Sequence, residues 1–198
     1  LLVMHRVSFL QLLPQSYLAR MASIPGVSAV SHQTWFGGIY QDAKNPLGTF
    51  PVDPELYLAM TPEISLPEDQ KQAWLKTRTG AIIGRSLAER YGWKIGDRVP
   101  LKSPIWTTKS GGAWEFDIVG IYDGTKKTAD TTSLLFRYDY FDEARSGANG
   151  LVTVLEAADR AVFSVTARTI PKDHAPPCGA FHEGHPRPGH PPDGSTGV

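Results

Sequence analysis

Residues 80–101, GAIIGRSLAERYGWKIGDRVPL, then a Trp/Thr/Gly-bearing spacer, then WEFDIVGIYDG at residues 114–124, decide how this chain is read. Ala81, Ile82 and Ile83 form a short apolar run suited to a buried strand. Gly84 lets the chain turn into a helix expected over residues 85–91. On it Ile83, Leu87, Ala88 and Tyr91 fall near one face, while Arg85, Glu89 and Arg90 stay in water. Gly92 stands where a left-handed helix terminus favours a residue without Cβ. Trp93 and Ile95 supply apolar contacts just beyond, and Gly96-Asp97 is a turn dipeptide. Val99 and Leu101 alternate with Arg98 and Lys102, and Trp114, Phe116 and Ile118 alternate with Glu115 and Asp117. Each set gives a strand with one buried and one wet face. Gly120 and the pair Asp123-Gly124 are expected to close the second strand. The plain account of these glycines and aromatics is a small packed β unit with a helix across it.

Upstream, LLVMHRVSF has strand propensity and leads to Leu13-Pro14. A helix is expected over residues 14–23, since Tyr17, Leu18, Met21 and Ile24 recur at helical spacing and Pro14 suits a first turn. Pro25-Gly26 stops it, and VSAVSHQTWF reads as a second strand, completing a β-α-β unit of the ferredoxin-like kind. Residues 37–46 read as a loop and 49–52 as a strand. Asp53-Pro54-Glu55 starts a helix with Asp as cap and Pro in the first turn. Another begins at Leu66-Pro67-Glu68-Asp69 and ends near Lys76, with Trp74 and Leu75 available for packing. Residues 133–138 read as a strand, 140–145 as a helical turn or two, and 150–155 as one last strand.

The 198 residues suit one domain or two small ones with a real core. With 20 acidic and 20 basic residues, the charge balance gives no footprint for nucleic acid. Cys178 is the single cysteine, so the sequence holds no internal disulfide. No stretch approaches the roughly 18 consecutive apolar residues of a membrane helix. The chain starts abruptly at Leu1 inside a strand-like segment, which suggests a piece of a longer polypeptide.

From Pro171 onward the composition changes to Pro, Gly and His, and hydrophobic periodicity stops. Such a segment buries too little apolar surface to offset its ordering entropy, so residues 157–198 are expected to be an irregular, disordered tail. His174, Cys178, His182, His185 and His190 could ligate a metal, but their spacings match no zinc module. Other chemistry-bearing patterns fail in similar ways. GIYDGTKKT at residues 120–128 lacks the Gly-Lys-Ser/Thr ending of a phosphate loop. His182-Glu183-Gly184-His185 is one residue short of a zincin helix, and Pro186 follows it. His32 has no nucleophile-elbow partner. Asp139, Asp142 and Glu143 could line a site, though a solvated helix face explains them. No catalytic, cofactor-binding or metal residue is therefore expected. The aromatic set Trp35, Phe36 and Tyr40, placed among glycines, is the one candidate partner-binding loop; the alternative is a loop pinned to the core by burial.

IPGVSAVSHQTWFGG at residues 24–38, followed by TGAIIGRSLAERYGWKIGDRVPL and WEFDIVGIYDG, resembles the MacB-like periplasmic core domain of FtsX-like ABC transporter permeases. The resemblance spans residues 1–155, with several motifs in the order and spacing of the family. It implies a non-catalytic domain that protrudes from the cell inner membrane into the periplasm, placed after a first membrane helix and followed by others. ATP hydrolysis would belong to an ABC ATPase subunit or fused domain, with a second permease copy in the full-length transporter. The domain would couple that cycle to a substrate or to an extracytoplasmic partner protein, with no cofactor and no nucleic acid. As a separate chain it would be soluble.

The resulting expectation is an α+β fold. A β-α-β, ferredoxin-like subdomain at 1–78, with 132–156 as the candidate segment to complete it, accompanies a small mainly-β subdomain with a short helix at 79–131. The family pattern continues past Leu155 with a packed helix and membrane spans, whereas this sequence turns to Pro, His and Gly. Translation of GC-rich DNA in a shifted frame leaves such a pattern, so a frameshifted or truncated product with onset between Leu151 and Pro171 is expected. Two other function classes compete with this reading. One is a free-standing soluble module that binds a ligand or peptide in a cleft between the β-α-β half and residues 80–124. The other, an enzyme, is not expected, for want of a coherent nucleophile, base or metal set; it would depend on a residue such as His32 or Asp123.

Overall fold

A computed structural model describes residues 2–6, 8 and 11–159. The Pro/His/Gly-rich segment, with its expected disorder and its Cys178/His182/His185/His190 candidates, lies outside the described residues. In chain order the elements are β1 (Leu2–Met4), β2 (Leu13–Pro14), α1 (Tyr17–Ala22), β3 (Val27–Gln33), β4 (Gly38–Ile39) and β5 (Pro46–Val52). Then come α2 (Pro54–Met60), β6 (Ile64–Ser65), α3 (Glu68–Lys76), β7 (Gly80–Gly84), α4 (Arg85–Tyr91) and β8 (Arg98–Leu101). The last are β9 (Trp114–Gly124), β10 (Ser133–Arg137), α5 (Tyr138–Ala144), β11 (Leu151–Val152) and β12 (Val154–Asp159).

The main sheet runs β1-β12-β3-β5-β10-β7-β9-β6, with β4 against β5 and β8 against β9. Because β12 is antiparallel to both β1 and β3, those two run parallel with α1 between them in sequence and β12 between them in space. That is a split β-α-β unit, the ferredoxin-like arrangement expected of this half. In the other half β10 lies parallel to β5 and antiparallel to β7, and β7 lies parallel to β9. A single residue pair, Gln33 with Val52, joins the β3 and β5 ladders. The fold is α+β with a mixed sheet and short helices, as the sequence implied.

Alternation along the central strands sends side chains to both faces. Ala81, Ile83, Leu134 and Phe136 enter one core with Met21, Leu87 and Phe141 from α1, α4 and α5. Ile82 and Leu135 enter the other with Trp74 of α3, against which Tyr57 and Leu58 of α2 pack. A strand covered on both faces needs no polar side, which is why β7 reads GAIIG and is buried throughout. The α4 helix has the expected bounds and faces, and Gly92 ends it at φ 69°. Asp53 caps α2 by accepting the Leu56 N–H at 3.0 Å. Trp93 is buried, but Ile95 is half exposed and does not act as the expected contact.

Several local expectations are corrected. Pro14 does not open a helix; it pairs with Leu151 in the two-stranded β2–β11 sheet, and α1 starts at Tyr17. The expected single strand over 150–155 is two strands, which join different sheets on either side of Thr153. The loop expected at 37–46 contains β4, and β5 begins at Pro46 rather than Thr49. Helix α5 starts at Tyr138, two residues early.

Gly120 does not end its strand. β9 continues through it to Gly124, and the register with β7 slips between Ala81 and Ile82. A Cβ on Gly120 would meet Ile82 Cγ2 at 3.0 Å, Leu66 Cδ1 at 3.1 Å and Gln70 Cβ at 3.2 Å. The residue is glycine so that α3 can lie close on the sheet at an irregular point of the ladder.

Candidate functional site

Three places in the described fold gather polar or aromatic groups with chemical potential: the Trp35–Tyr40 loop, a buried network around Arg145, and a cleft beside Tyr57.

In the loop, Phe36 is fully enclosed, with ring centroids 5.4 Å from Trp114 and 5.2 Å from Phe136. It belongs to the aromatic core, with Phe116 and Phe141 also against it. Trp35 and Tyr40 are half-buried. Trp35 lies edge-on to Phe50 at 5.3 Å, and its carbonyl accepts the Trp106 indole N–H at 2.9 Å. Tyr40 packs at 4.9 Å from Trp93, itself stacked on Tyr91 at 4.8 Å. The three residues therefore do not form one surface: Phe36 fastens the loop from inside, and the other two leave it towards different neighbours.

Arg145 was legible in the sequence only as the end of a helical turn. It is 0% exposed. Its guanidinium carbon lies 4.6 Å from the Phe141 ring centroid and 5.1 Å from that of Trp106. Nη2 donates to the Asp142 carboxylate, to Tyr138 Oη at 3.3 Å and to the Leu151 carbonyl at 3.1 Å. Nε and Nη1 find no hydrogen-bond acceptor among the described residues and are covered by rings. Burial opposes ionisation of Asp142, but the Gly150 N–H and Arg145 together hold its carboxyl below its ordinary value. This network binds α5 to β11 around an enclosed guanidinium, while Asp142 keeps part of its carboxylate in solvent.

His32 lies beside it, 3% exposed, edge-on to Tyr138 with ring centroids 4.3 Å apart and 3.2 Å from the Gln15 amide. Burial pushes its pKa down to about 4, against the pull of Asp53 and Asp142. Asp123 is exposed and held by Arg85 through two bonds of 3.0 and 2.8 Å, which keep its carboxyl below the usual range. His32 and Asp123 share no partner. The acids of α5 do not converge either: Asp139 pairs with Arg137, Asp142 with Arg145, and Glu143 with Arg78. The GIYDG of the phosphate-loop-like run lies within β9. No group of three metal-ligating side chains occurs among the described residues.

The cleft lies beside α2. One cavity of about 210 Å³ is lined by Gln33, Phe50, Tyr57, Glu63, Tyr122 and Asp130, among others. A more open cavity of about 480 Å³ shares Tyr57 and Glu63 and adds Leu2 and Glu156. Burial raises the Tyr57 phenol to about 12, and the Glu156, Glu63 and Asp130 carboxylates add to that rise. Sequence reasoning missed this site because Gln33, Tyr57, Tyr122 and Glu156 are spread over the whole chain.

No protein-family model matches this sequence, and no curated protein matches it. Solved structures do. A domain of a putative permease protein from Porphyromonas gingivalis is similar at TM-score 0.50 and 19% identity, over 82% of this chain and 75% of that one. The extracellular domain of the noncanonic ABC-type transporter YknZ from Gram-positive bacteria is similar at TM-score 0.53 and 9% identity, over 76% and 75%. The periplasmic region of MacB from Actinobacillus actinomycetemcomitans is similar at TM-score 0.51 and 9% identity, over 77% and 67%. The fold is thus one shared by extracytoplasmic domains of transporter permeases. More narrowly, it is the MacB-like periplasmic core fold.

Proposed function

We propose that this chain is the extracytoplasmic core domain of an ABC transporter permease. It acts non-catalytically, coupling ATPase-driven motion to the handling of a substrate or an extracytoplasmic partner. The observation that carries this reading is the common fold of three permease domains, each matched over at least 67% of its own length. The carboxylates of α5 are each paired with an arginine, and the Arg145 guanidinium is enclosed in the fold. No helix among the described residues is long and apolar enough to cross a membrane. In this reading, membrane helices of the full-length permease hold the domain at the inner membrane, facing the periplasm. An ABC ATPase subunit and a second permease copy complete the transporter.

The reading includes two subdomains, 1–78 completed by 132–156, and 79–131. They would meet along the antiparallel β10–β7 ladder, Leu134–Phe136 against Ala81–Ile83, and a continuous ladder passes displacement from one part to the other. The composition change at Pro171 supports a shifted reading frame in this chain, and the regular β12–β3 pairing from Val154 to Ala158 supports an onset after Ala158. The coding DNA and its neighbourhood test both points. The account expects apolar membrane spans in an alternative frame and an ABC ATPase gene alongside. A locus with neither contradicts it.

A further inference from the structure

The cleft beside Tyr57 has a consistent chemistry. Its walls are aromatic, with Phe50, Tyr57 and Tyr122, and among the described residues its ionisable lining groups are carboxylates and phenols, with no Lys, Arg or His. The carboxylates differ in what already occupies them. Asp130 accepts from the Thr132 N–H at 2.8 Å, the Thr132 hydroxyl and the Ser133 hydroxyl, both at 2.6 Å, so its own turn uses it fully. Glu156 accepts from Gln33 Nε2 at 2.6 Å, and burial raises its pKa. Glu63, half-buried and lining both cavities, forms no hydrogen bond or ion pair through its carboxylate among the described residues. A half-buried carboxylate next to aromatic faces, in an inner cavity with no cationic side chain among its described lining residues, favours a positive charge on a partly apolar body. Ligand sites typically combine an apolar wall with a few convergent polar groups in this way.

We propose that this cleft binds a small organic cation, an ammonium or guanidinium on a short apolar body, with its head at Glu63 and its body against Tyr57 and Phe50. Tyr122 and Leu135 form the floor of the inner cavity. The recess of about 210 Å³ suits a compact group, and the wider cavity leaves room for a tail towards Leu2. The proposal goes beyond the coupling role, and its failure would leave that role standing, because coupling is read from transport in the assembled permease.

The test is calorimetric titration of the full 198-residue chain with three probes: phenethylammonium, its neutral counterpart 2-phenylethanol, and agmatine. Saturable binding of phenethylammonium is expected, about tenfold or more tighter than that of the alcohol, the ratio one well-placed charge interaction of ~1.4 kcal/mol supplies. Agmatine carries an alkyl body and two charges: binding of both cations is expected, and tighter binding of the singly charged phenethylammonium would assign the body to the aromatic wall. Glu63→Gln should weaken both cations several-fold while its thermal unfolding matches the wild type. Equal affinity for the alcohol and the ammonium, or no saturable binding of either cation, overturns the proposal. Both of those comparisons use the wild-type chain and so do not depend on how any variant folds. Cation affinity unchanged in a folded Glu63→Gln overturns it too.

Discussion

Gln70 on α3 accepts the backbone N–H of Ile121 through its side-chain Oε1 at 2.8 Å, next to the point where Gly120 brings helix and strand together. The bond lies beside the irregular point of the β7–β9 register, and the glutamine gives that N–H its acceptor. Gln70→Leu should therefore cost about 1–3 kcal/mol, the penalty for a buried donor left unsatisfied. Gly120→Ala should cost a similar ~1–3 kcal/mol by overpacking against Leu66 and Ile82. Urea unfolding of both variants checks the pair. A neutral Gln70→Leu would show that water supplies the bond.

Removal of the buried cation is expected to be among the most damaging changes. Arg145→Ala leaves Asp142 partly buried without its guanidinium and vacates the space between Trp106 and Phe141, at an expected loss of about 3–5 kcal/mol. Arg145→Met with Asp142→Asn should recover part of it, since the charges leave together. Denaturant midpoints of the single and double variants measure the coupling.

The aromatic loop gives a split outcome. Phe36→Ala should lose about 3–5 kcal/mol, as a large buried ring does. Trp35→Ala and Tyr40→Ala remove half-buried rings and should cost less. If the loop meets a partner, those two changes weaken the association while the domain stays folded. Thermal unfolding and a binding assay, run on the same variants, separate the effects.

His32 sets an acid limb. Its folded pKa of about 4 lies below the ordinary 6.5, so the unfolded chain takes up the proton first as pH falls. The stability contribution is therefore complete above pH 6.5 and lost between 6.5 and about 4, by at most ~3 kcal/mol. Below that window both states are protonated and no further loss comes from this group. His32→Gln should flatten stability in that window, read by unfolding free energies at half-unit pH steps.

The central segment was legible because its signals are local. The alternation of Trp114, Phe116 and Ile118 and the helix ending at Gly92 depend only on near neighbours in sequence. What failed depends on distant ones. Gly120 looked like a stop because glycine interrupts a pattern, yet its reason is α3, fifty residues upstream at Gln70. Pro14 looked like a helix start, but its partner is Leu151. Two-residue strands such as β6 carry no period for a sequence to show. Arg145 reads as solvated until Trp106 and Tyr138 close over it. The same holds for the cleft, whose walls come from β3, β5, α2, β9 and β12.

Coupling is the central claim, and transport in an assembled permease tests it most directly. A full-length permease carrying this domain, together with its ATPase, would be reconstituted in proteoliposomes, and ATP turnover and substrate movement measured in parallel. Replacing residues 2–159 by a short flexible linker should leave ATP hydrolysis running while substrate movement is lost. Movement that continues at the wild-type ratio to ATP consumed would contradict the account.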